Sequence, residues 1–150
     1  MIKNREKLIR LIFWVYILAV LTLTFVVRET MVLRMPNHRG LELTPFREFD
    51  AMLSGNNQKF WFMQIFLNIL LFVPFGTLLP VISDKFRNFW LTTFLGFLFS
   101  GAIESMQYIT GRGFSEVDDL INNTVGAAVG YIIFAVAMNI YNKYRQDIYW

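Results

Sequence analysis

Four stretches of this 150-residue chain carry no charged side chain: 11–27, 60–83, 88–103 and 120–142. A helix needs about 20 mostly apolar residues to cross a hydrocarbon core of about 30 Å. The third stretch reaches that length only if Glu104 lies inside the helix, which then runs on to about Ile109. In lipid only helices and closed barrels satisfy the backbone, and these runs are too long for barrel strands. The runs therefore predict four transmembrane helices, near 8–28, 59–82, 88–109 and 119–141. The expected fold class is all-α, a polytopic four-helix membrane bundle forming one domain over 1–150. Composition agrees: 55% of residues are hydrophobic and only 17% charged, against a usual charged share of about 25%. With no cysteine and a single histidine, His38, thiol nucleophiles, thiolate metal sites and His clusters are excluded.

The first span follows Lys3, Arg5, Lys7 and Arg10. Its apolar run is long for a signal peptide, and no small-x-small cleavage site follows Val27, so a retained anchor is expected. Lysines and arginines set orientation. Those four, with Lys85, Arg87, Lys143 and Arg145, sit in short tails and one tight turn. Arg28, Arg34, Arg39, Arg47, Lys59 and Arg112 are spread over the opposite connections. Both termini are therefore expected to be cytoplasmic, and the net charge of +3 reflects topology, with no nucleic-acid partner implied. In the long outer loop 29–58, Thr44 is the expected N-cap of a short helix with Pro45 in its first turn. Phe46, Phe49 and Leu53 recur at helical spacing, so that helix is expected to lie in the outer interface.

Ionisable and amide side chains at membrane depth are costly, and so mark candidate sites. Glu104 is the main one, about 8 Å below the outer end of the third span at 1.5 Å per residue. Gln107 and Tyr108 lie on its helical face. The short connection contains Gly111, Arg112 and Gly113, and the fourth span opens with Asp118 and Asp119, then Asn122 and Asn123. Helix spacing puts Glu104 and the asparagine pair at similar depth, and they are expected to converge with Arg112 on one polar pocket. Asp118 is also expected to cap the fourth span. Gly126 and Gly130 read as close helix packing. In the second span, Asn68 sits near mid-membrane, before a kink at Pro74. Its role is open between a clasp to another helix and direct participation in the site. Asp118, Asp119 and Glu104 loosely suit a hard cation; any metal stays open, and no cofactor is expected.

The order Asn68-x-x-x-Phe72-x-Pro74-x-Gly76, Glu104-x-x-Gln107, Gly111-Arg112, Asp118-Asp119-x-x-x-Asn123-Thr124-x-Gly126-x-x-x-Gly130-Tyr131 resembles the VanZ-like membrane proteins. Leu43-Thr44-Pro45-Phe46 is similar to that family's N-L-x-P-F element. The resemblance covers about 41–131. Glu42 stands where the family often has Asn, and Ser115 or Glu116 where many members place another Asp. The resemblance implies a multi-pass protein of the bacterial cell membrane, associated with resistance to the glycopeptide teicoplanin; it supplies a phenotype and a location without a reaction.

Three classes of function then present themselves. In the first, a non-enzymatic envelope protein binds an envelope lipid, polymer or glycopeptide at an outer pocket built from Asn68, Glu104, Gln107, Arg112, Asp118, Asp119 and Asn123. The alternative is an intramembrane enzyme acting on an envelope lipid or polymer, with Glu104 as general acid or base and Arg112 holding an anionic group. Transport ranks last, because four spans per subunit call for an oligomer, and the oligomeric state stays open. Membrane lipids are partners in every case.

Overall fold

The computed structural model describes residues 2–27, 40–55, 57–111 and 114–147; among them are four helices long and apolar enough to cross a membrane. Helix α1 spans Ile2–Thr22 and ends in a wider π-helical turn, Leu23–Val27. The Thr22 and Thr24 hydroxyls donate to the Leu18 and Val20 carbonyls at 2.8 and 2.9 Å. Such back-bonding competes for the helical acceptors and loosens the last turns.

Strand β1 (Gly40–Glu42) leads to helix α2 (Arg47–Leu53). The helix starts later than the expected Thr44 cap. Its N-cap is Phe46, in the left-handed region at φ 63°, with no capping bond from its own side chain. Helix α3, Gln58–Ile82, contains Pro74 and Pro80. Pro74 removes the donor that would have bonded the Leu70 carbonyl. One carbonyl further on, Leu71 accepts from the Tyr16 hydroxyl at 2.7 Å, which ties α1 to α3.

After a 3₁₀ turn at Asp84–Phe86, helix α4 (Phe89–Thr110) begins at Asn88, whose side chain accepts from the Leu91 amide at 2.9 Å. It ends at Gly111, left-handed at φ 66°, the usual helix terminator. Strand β2 (Phe114–Glu116) runs straight into helix α5 (Val117–Asp147). β1 and β2 pair in parallel, in register Gly40 with Phe114, Leu41 with Ser115 and Glu42 with Glu116. The bundle thus carries a small sheet that an all-α reading omits.

Three glycines set the closest helix contact. A Cβ on Gly76 would lie 1.9 Å from the Ala127 carbonyl oxygen; on Gly126, 2.2 Å from that of Ile69; on Gly130, 2.1 Å from that of Val73. Helices α3 and α5 therefore touch backbone to backbone, as small residues allow where lipid supplies no hydrophobic drive between helices. Thr77 adds a hydrogen bond to the Gly130 carbonyl at 3.0 Å. The core beside this contact is aromatic. Phe72 is fully buried, and Phe75 stacks on Phe99 at 5.5 Å and 13°. Outward-facing positions remain apolar, with Trp90 77% and Ile109 67% exposed. A soluble domain avoids so large an apolar surface, whereas a lipid-facing one requires it.

Candidate functional site

The C-terminal end of α1, the N-terminal end of α3, the C-terminal end of α4 and the N-terminal end of α5 meet at one end of the bundle, beneath α2 and the β1–β2 pair. Most of the buried polar side chains gather there.

Asp118 is not spent on its own helix, as its position in the first turn of α5 led one to expect. Its carboxylate accepts from the Phe46 amide at 2.5 Å and from the Glu48 amide at 2.8 Å. It acts as the missing N-cap of α2, supplied from a different part of the chain. A charged acceptor there also complements the positive end of the helix.

This docking brings in a residue that sequence reasoning missed. Glu48, only 1% exposed, turns inward, while Phe46 and Leu53 on the same short helix stay exposed. Glu48 accepts from the Asn122 amide at 3.1 Å. Asp119, fully buried, accepts from the Asn68 amide. Asn68 is therefore a clasp between α3 and α5. Glu48, Glu116 and Asp119 each bring a carboxylate oxygen to within 4.8 Å of the others. At that separation and an effective dielectric of about 20, each pair of full charges repels by about 3.5 kcal/mol. The trio therefore calls for positive charge nearby. One source is Arg47, whose guanidinium lies 2.9 Å from Glu116 and 3.8 Å from Glu42 and packs over Trp61 at 5.8 Å. Oxygen donors of this kind are also those that a hard divalent cation takes, and these three residues are the ones that could hold it.

The other expected site residues lie on the α4 side. Glu104 is buried, and its carboxylate accepts from the Glu116 amide at 2.9 Å, fixing the strand that leads into α5. Gln107 donates to the Thr24 carbonyl at 3.4 Å, reaching the π-helical turn of α1. Asn123 donates to the Ser100 hydroxyl at 2.9 Å. The carbonyl oxygens of Gln107 and Asn123 are buried with no hydrogen-bond partner among the described residues. Glu48, Glu104, Glu116 and Asp119 are all engaged in interactions. Arg112 lies outside the described residues.

The structure therefore brings Asn68 and Asp119 together and joins Glu104 to the same end through β2. It assigns Asp118 to holding α2, and places Asn123 and Gln107 in separate helix-to-helix bonds. Arg47, Glu48 and Glu116 join the cluster. Glu48 gave no separate signal, since Arg47 and Asp50 on the same short helix are charged as well. Glu116 had only the family resemblance, which places another Asp at Ser115 or Glu116, since a three-residue strand has no periodicity to read. Beside the cluster, between α1 and α3, lies a cavity of about 490 Å³ with Asn68 in its wall.

Comparison with known proteins adds an independent line. The family model described as VanZ/LLP1 matches residues 13–138. Protein VanZ of Enterococcus faecium is 29% identical over 113 residues, covering 74% of this chain and 62% of that protein. The chain thus spans under two thirds of that relative's length. No solved structure matches.

Proposed function

The chain belongs to the VanZ/LLP1 family, and we propose that it is a multi-pass protein of the bacterial cell membrane, with both termini cytoplasmic, that binds an envelope lipid, polymer or glycopeptide and so contributes to glycopeptide resistance. Its site is the carboxylate and amide cluster beneath α2, facing outward. The observation that carries this reading is the convergence of Glu48, Glu116 and Asp119, buried and within 4.8 Å, at the end of a membrane bundle. Buried charge is a poor source of stability. Kept at such cost inside a membrane protein, it marks function by default. Carboxylates and amides hydrogen-bond hydroxyls, amides and ammonium groups, which are the polar groups of envelope lipids, sugars and peptides. VanZ-like proteins supply the teicoplanin link.

The test is protection in a susceptible bacterium. Wild-type protein is expected to raise the inhibitory concentration of teicoplanin. Asp119→Asn and Glu48→Gln are expected to fall to the vector level at equal membrane abundance. Variants that protect as well as wild type would sink the proposal.

A second reading, an intramembrane enzyme, draws on the same trio, because three carboxylates can share a proton or hold a catalytic cation, with Glu104 nearby as acid or base. Mass spectrometry of lipid and wall extracts, with and without the protein, separates the two readings. A new product dependent on Glu104 selects catalysis; identical extracts select binding.

A further inference from the structure

We propose that the cavity between α1 and α3 holds the hydrocarbon chain of a membrane lipid, with the lipid's polar end placed beside the carboxylate cluster. This deepens the function proposed above by naming the ligand class, and it rests on that reading for the role of the cluster.

The cavity measures about 490 Å³, within the range of about 300–1,000 Å³ typical of ligand sites. Its lining has a direction. Gln64 and Asn68 of α3 and Thr24 of α1 lie toward the cluster end, while Ala19, Leu70, Leu71 and Pro74 lie deeper. From Gln64 to Pro74 the helix advances about 15 Å, so the cavity runs inward from the cluster end of the bundle, polar end first. A lipid has the same order of polarity in the same direction.

Water is a poor occupant, because a buried water needs two to four polar partners and most of this wall is apolar. A non-helical protein segment is equally unsuited, since irregular backbone cannot stand exposed to hydrocarbon. What the surroundings offer is lipid chain. The walls themselves open outward, with Leu23, Leu67 and Leu70 exposed. At the deep end, the Tyr16 hydroxyl bonded to Leu71 holds α1 against α3. At the shallow end, Asn68 lies in the cavity wall while its amide bonds Asp119. One side chain therefore joins the apolar cavity to the acidic cluster.

The experiment places the full chain in phosphatidylcholine vesicles containing phosphatidylethanolamine, whose ammonium suits the carboxylate cluster, with a diazirine on one acyl chain. After irradiation, labelled peptides are identified by mass spectrometry. Labelling around Ala19–Leu23 and Leu67–Leu71 is expected to exceed, several-fold, that at Trp90 and Ile109, which are more exposed than Leu23, Leu67 or Leu70. Ala19→Phe, which adds bulk to the cavity wall, is expected to abolish that excess and leave Trp90 and Ile109 unchanged. Leu67→Phe serves the same purpose should the first variant fail to insert. Labelling that simply follows exposure around the bundle overturns the proposal, even where Asp119→Asn abolishes drug protection. A cavity excess removed by the filling variants upholds it, even where Asp119→Asn protects like wild type.

Discussion

Removing the Asp118 carboxylate should release α2 while leaving the rest of the bundle in place. Its two bonds, to the Phe46 and Glu48 amides, are charge-assisted, and such bonds contribute about 1.5–3 kcal/mol each. Phe46 is 55% exposed, so water reaches this edge and the lower value applies, giving about 3 kcal/mol for the pair. Against this stands the left-handed backbone of Phe46, a strain of about 1 kcal/mol that relaxes on release. The net loss in Asp118→Ala is then about 2 kcal/mol, or about 30-fold in the local opening equilibrium. Hydrogen exchange in lipid nanodiscs measures it directly. Amides of residues 47–53 should exchange about 30-fold faster, while those of α3 and α5 keep their rates. Asp118→Asn keeps one acceptor oxygen for one of the two amides while its NH2 faces the other N–H, and should fall between. The reasoning is refuted if Asp118→Ala leaves 47–53 as protected as wild type, or if all helices loosen equally.

The helix contact and the loop charge give two more tests. Gly126→Ala puts a Cβ 2.2 Å from the Ile69 carbonyl, so α3 and α5 must separate; a cost of about 1–3 kcal/mol corresponds to a Tm lower by roughly 2–12 °C at this length. In Gly101→Ala the nearest neighbour is a Leu120 side-chain carbon at 3.8 Å, and Tm should not fall. Glu42 accepts hydrogen bonds from the Thr44 side chain and backbone, which, with nearby Arg47, hold its carboxyl below the ordinary range. A depressed folded value means the stabilisation is complete above the unfolded carboxyl value of about 4.3 and fades as pH falls through the folded one. The Tm difference between wild type and Glu42→Gln should therefore shrink on acidification below about pH 4, and a difference that grows there contradicts the assignment.

The spans were legible because charge marks their limits. α3 and α4, at Gln58–Ile82 and Phe89–Thr110, fall within a residue of the ranges expected from Lys59, Lys85 and Arg87. The outer helices run past the apolar limits, α1 from Ile2 and α5 to Asp147. A helix continues wherever each added residue gains a bond and nothing breaks it, and neither Gly nor Pro interrupts 2–10 or 142–147. The site was less legible. Asp119 and Asn68 stood out as polar groups in apolar surroundings, but their bond joins residues 51 positions apart. Asp118 has the sequence of a cap, and only the fold reveals which helix it caps.

Helix α2 shows why the missing part matters. In water a surface helix buries its apolar side and exposes its charges. Here Glu48 is buried while Phe46, Phe49 and Leu53 are exposed, an inversion that the carboxylate cluster beneath Glu48 accounts for from within. Three polar links seat it from within: Asp118 at its N-terminus, Asn122 on Glu48, and Arg47 on Glu116. Two of these end on Glu48 or Glu116, members of the acidic trio. A cation or ligand that changes the charge of the trio therefore changes the hold on α2, and with it the seating of Phe46, Phe49 and Leu53. Cluster and helix form one thermodynamic unit, so a ligand that prefers α2 seated must be bound more weakly when Asp118 is gone.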